Sequence, residues 1–156
     1  MSAKTQFFKK LESSKMAFGS GMSKGDADIA AFCQKMEQLH ENIKQWLEGS
    51  GLVIKTRPIK VVELLLRNGS FPVTEITVSL EGRTLSFTPL FLYGQGVTGC
   101  TEVTLSIERK QTTLTRLLMR SGRNSEWLCC PVNTAYRCET YFDEEMFFCL
   151  LSKLLP

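Results

Sequence analysis

The chain has 156 residues, 43% of them hydrophobic and 22% charged, which is ample for one domain with a buried core and excludes wholesale disorder. No apolar run nears the roughly 18 residues a membrane-spanning helix needs, and the polar start MSAKTQFFKKLESSK lacks a secretory h-region, so a cytosolic (cytoplasmic) protein without a membrane partner is expected. The net charge of +3 sits at the front: residues 1–25 carry five lysines against the single acid Glu12, while the rest holds 14 basic and 15 acidic side chains, so the near-neutral body argues against nucleic acid as the partner.

Residues 1–25 read as a basic, Gly/Ser-containing and mobile leading segment, with a short helix over TQFFKKLESSK followed by FGSGMSKGD. Residues 26–156 read as a single α+β domain. Asp26 or Asp28 is a suitable N-cap for a helix reaching about Glu48, where Gly49-Ser50-Gly51 stops it. Ile29, Phe32, Met36, Leu39, Ile43 and Trp46 are spaced alternately by three and four, which makes one apolar stripe. His40 lies beside the stripe.

Leu52–Lys55 suits a short strand. Pro58 then stands where a first helical residue is favoured, and Ile59, Val62, Leu65 and Leu66 form a helical face ended by Asn68-Gly69. This predicts a helix, with a strand as the alternative because Ile59, Val61 and Val62 are β-branched.

From Thr74 the period changes to two. TEITVSLEG, RTLSFTPLFLY and TEVTLSI alternate apolar and polar residues, and Glu81-Gly82-Arg83 is a hairpin turn between the first two. TTLTRLLMR and EWLCCPV follow, separated by the turn signal Ser121-Gly122-Arg123-Asn124. The expectation is one antiparallel meander of about five strands, packed against the long N-terminal-half helix and a C-terminal helix. Residues 133–139 read as irregular, with room for a short edge strand. The last helix spans about Asp143–Leu154, with acids in its first turn and Met146, Phe147, Leu150, Leu151 and Leu154 on its buried face.

Catalytic patterns are missing. Gly94-Gln95-Gly96-Val97-Thr98-Gly99 is a literal G-x-G-x-x-G, but a strand follows it where a dinucleotide-binding unit needs a helix. A kinase-type glycine loop would need HRD and DFG partners, which the chain lacks. His40 is the only histidine and stands mid-helix, so no base is placed for a nucleophile. Glu102 and Glu108 share one face of a strand but lie roughly 20 Å apart by strand rise, too far for an acid–base pair. Six cysteines without a CxxC pair favour reduced, mostly buried thiols over zinc or a disulfide framework, with Cys100 the most accessible of them. No catalytic, cofactor-binding or metal-binding residue is assigned.

The remaining signals concern recognition. Arg109, Lys110, Arg116, Arg120 and Arg123 form a basic stretch without an acid, and Arg116 and Arg120 share strand parity. With Arg83 they could form a patch, and Tyr93 and Gln95 would stand exposed at the glycine loop. The sequence therefore points to a non-catalytic, cytosolic protein-binding module: a dedicated chaperone, an adaptor, or an inhibitor or immunity protein. It would have one partner with an acidic surface, contacted by Arg83, Tyr93, Gln95, Arg116, Arg120 and Arg123. The alternatives are a small ligand-binding domain or enzyme using the Gly94–Gly99 loop, and a nucleic-acid binder using the arginine-rich strand.

Overall fold

The computed structural model describes residues 2–9, 24–66, 69–94, 97–120, 126–130 and 140–155. The expected flexible stretch FGSGMSKGD lies mostly outside them. Residues 3–9 form a short helix, α1, with Phe7 and Phe8 exposed. The long helix α2 spans Lys24–Trp46. Phe32, Met36, Leu39 and Ile43 are fully buried, and Ile29 and Trp46 are partly buried against the same core, so the stripe packs as its spacing requires.

One antiparallel sheet follows, its strands neighbouring in chain order: β1 (Val53–Val62), β2 (Ser70–Leu80), β3 (Arg83–Gly94), β4 (Val97–Ile107), β5 (Lys110–Arg120), β6 (Leu128–Cys130) and β7 (Thr140–Tyr141). The architecture is the expected α+β meander, with seven strands rather than about five. Both added strands lie at edges. The two-residue turn Glu81-Gly82 has φ of 46° and 80°, the left-handed pair that matches strand twist in a tight hairpin.

The helix expected after Pro58 is a correction. Residues 53–62 are strand throughout, paired with β2 from Val53↔Ser79 to Val62↔Ser70. Val61 is buried, while Val62 and Leu65, both expected on the buried helical face, are 67% and 80% exposed. The physical reason is position. A proline lacks the ladder donor, but at the edge of a sheet that loss is tolerated, so Pro58 signals an edge strand here as well as it could signal a helix start.

One face of the sheet carries the core. Val78, Leu85, Phe87, Val103, Leu105 and Leu117 point towards α2 and the C-terminal helix α3 (Glu144–Leu151), which a 3-10 turn at Ser152–Leu154 extends. Asp143 caps α3 by accepting a hydrogen bond from the Met146 N–H at 2.9 Å. Phe147 meets Trp46 at 5.1 Å and Phe87 at 6.1 Å between ring centroids, which fixes α3 against both α2 and β3.

Candidate functional site

Among the described residues no helix covers the opposite face of the sheet, and cross-strand register assembles it from polar side chains. Glu75 stands opposite Arg57, and Glu102 stands opposite both Thr88 and Arg116. Thr88 reaches Glu75 through its hydroxyl. The result is a transverse row, Arg57–Glu75–Thr88–Glu102–Arg116, that crosses β1 to β5. A second row in register is Lys55–Thr77–Ser86–Thr104–Thr113, and a third is Val53–Ser79–Thr84–Ser106–Gln111. The first two rows as far as Glu102 and Thr104, with Gln111 beside them, line a shallow trough of about 510 Å³.

Charge in the first row is paired within it. The Arg57 Nε donates to Glu75 Oε1 at 2.6 Å, and the Thr88 hydroxyl donates to Glu75 Oε2, also at 2.6 Å. Both carboxylate oxygens of Glu75 are therefore engaged, which is what a side chain only 8% exposed requires. The Arg116 Nε donates to Glu102 Oε2 at 3.4 Å. In the third row, the Ser79 and Thr84 hydroxyls bond one another at 3.2 Å. Such a surface is flat, rich in hydroxyl groups and neutral along its first row, with Lys55 beside it in no ion pair among the described residues. It holds no carboxylate pair poised for proton transfer, and a groove this open excludes little water.

The expected contact residues are not brought together. Arg116 lies on the open face but is paired with Glu102. Arg83 sits at the other end of the sheet on its helix side, where Nη1 donates to the Leu154 carbonyl at 3.4 Å. Tyr93 is half-buried, and its hydroxyl donates to Asp28 Oδ2 at 2.6 Å, tying the end of β3 to the first turns of α2. Burial first, and then the Asp28 carboxylate, push its phenol up to about 12. Arg120 ends β5 opposite Val97. Gln95 and Arg123 lie outside the described residues.

The outer glycines of the glycine-rich stretch lie in strands. Gly94 closes β3 against Val97, so a two-residue connection joins β3 to β4, and Gly99 lies inside β4 at a bulge. Gly99 has φ of 120°, and a Cβ there would stand 3.0 Å from both Phe32 Cδ1 and Met119 Sδ. This glycine is needed for backbone shape and for the close approach of α2. Cys100, expected to be accessible, is instead fully buried, and burial pushes its thiol up to about 12. It belongs to a strand rather than to a loop, which is why it is enclosed.

Glu75 is the residue that sequence reasoning passed over. Its only sequence signal is a charged side chain two before Thr77 in an otherwise apolar–hydroxyl strand, and its partner Arg57 becomes visible only when residues 53–62 form a strand. Compared with protein-family models, curated proteins and solved structures, the chain matches none. Among the described residues no helix is long and apolar enough to cross a membrane.

Proposed function

We propose that this chain is a non-catalytic, cytosolic protein-binding module, of the dedicated chaperone, adaptor or inhibitor kind, and that it binds its partner through the open face of β1 to β5. The observation that carries this reading is the uncovered hydroxyl floor flanked by Arg57–Glu75 and Glu102–Arg116. A broad, flat surface suits a protein better than a small molecule, because small ligands favour deep and largely apolar pockets. Pairing also lowers the ordering cost of binding, since Glu75 and Arg57 are already fixed. The ligand-binding alternative draws less support from the Gly94–Gly99 segment, whose outer glycines belong to strands. The nucleic-acid alternative has lost part of its basic patch, with Arg116 ion-paired and Arg83 bound to a backbone carbonyl.

The test is affinity capture with the intact protein and with a Thr77→Arg plus Ser86→Arg variant, which blocks the floor without touching the core. The variant keeps the far-ultraviolet spectrum of the wild type and loses the protein that the wild type retains. Equal retention by both would remove the open face from the proposal.

A further inference from the structure

The β1 edge carries a second feature. In β2 the core-facing series runs Phe71 and Val73 and resumes at Ile76 and Val78, passing over Thr74 and Glu75 together. Their register partners Pro58 and Arg57 are passed over in the same way, with Ile54 packed on one side and Ile59 and Val61 on the other. The change of phase places Lys55, Arg57 and Lys60 on the open side of the edge strand, although their numbers differ in parity. All three are exposed. Lys55 and Lys60 enter no ion pair among the described residues, and β1 contains no acid. Val53 and Val62, at the two ends of the strand, are 50% and 67% exposed.

A ten-residue edge of this kind, with no helix over it among the described residues, is a template for strand addition. Its charges choose the occupant. Laid antiparallel on itself at full overlap, β1 sets Lys55 against Lys60, so like charges disfavour a second copy of the chain. An acidic strand meets the same lysines with opposite charge. Pro58 removes at most one donor from the added ladder.

We propose that β1 accepts an extended acidic segment of the partner protein as an additional antiparallel strand, with Lys55 and Lys60 pairing its carboxylates and Val53 and Val62 contacting apolar residues at its ends. This deepens the binding-module reading and rests on it.

The test uses the full chain and a ten-residue synthetic peptide alternating glutamate with threonine and valine, followed by amide chemical shifts and amide exchange. The expected result is shift changes and slowed exchange confined to 53–62, with affinity about tenfold weaker for Lys55→Glu plus Lys60→Glu and no response to the matching lysine peptide. No change in 53–62 at millimolar peptide would overturn the proposal, as would an equal response to the lysine peptide. A β1-paired homodimer in sedimentation would also overturn it. If the lysine variant still captures the protein partner that Thr77→Arg plus Ser86→Arg loses, the edge proposal fails while the binding-module reading stands.

Discussion

Thr88 donates its hydroxyl to Glu75 at 2.6 Å just beyond the last ladder pair of β2 and β3, Ile76↔Phe87. Beyond that pair, β2 continues on β1 alone and β3 on β4 alone, so a side-chain bond takes over where the backbone ladder ends. Arg57 completes the arrangement from β1. One buried carboxylate thus joins three strands.

Glu75→Ala removes that junction and leaves Thr88 and Arg57 without their acceptor. A loss of about 1–3 kcal/mol is expected, read as a lower urea midpoint with unchanged slope. Arg57→Ala is milder, because the guanidinium is 72% exposed and water replaces it.

Gly99→Ala places a methyl group 3.0 Å from Phe32 and Met119 and forces a φ that L-residues avoid. The cost is about 1–3 kcal/mol for the backbone alone, with more from displacement of Phe32. Gly51→Ala, which meets no neighbouring atom, carries the backbone term only. Thermal melts of the pair separate packing from conformation.

Thiol reactivity at about pH 8 should rank by burial. Of the described cysteines, Cys149 is exposed and reacts with a maleimide first, whereas Cys100 and Cys129, both buried, react only once denaturant is added. Peptide mapping of the labelled protein checks the order.

Alkaline pH lowers stability with a definite sign. Burial raises Cys100 and Cys129 from 9.0 to about 12, and burial with Asp28 raises Tyr93 from 10.0 to about 12. The fold favours the protonated forms, so their contribution is complete below pH 9.0 for the thiols and below pH 10.0 for the phenol, and is lost as pH rises to about 12. Urea midpoints should fall as pH rises from about 9 to about 12, and less steeply above about pH 10 in Tyr93→Phe.

The sheet and both large helices were legible because their periods are long and unbroken. The stripe from Ile29 to Trp46 and the alternation from Ile76 to Leu80 leave little choice of face. β1 was not legible, since Pro58 is compatible with a helix start and with an edge strand, and the apolar residues around it fit both periods. Losing β1 hid the open face, because Arg57 and Lys55 became partners of Glu75 and Thr77 only through register. Arginine parity on β5 was readable, but its pairing with Glu102 depends on the β4–β5 ladder. The destinations of Arg83 and Tyr93 depend on the docking of α3 and α2, which no local pattern encodes.

The central claim is that the open face is where the partner sits. Site-specific photocross-linking tests it most directly, with a benzophenone side chain at Ser86 on the open face or at Gln34 on the exposed side of α2. The account predicts a single protein adduct from Ser86 and none from Gln34. An adduct from Gln34 with none from Ser86 would place the partner on the helical side and contradict it.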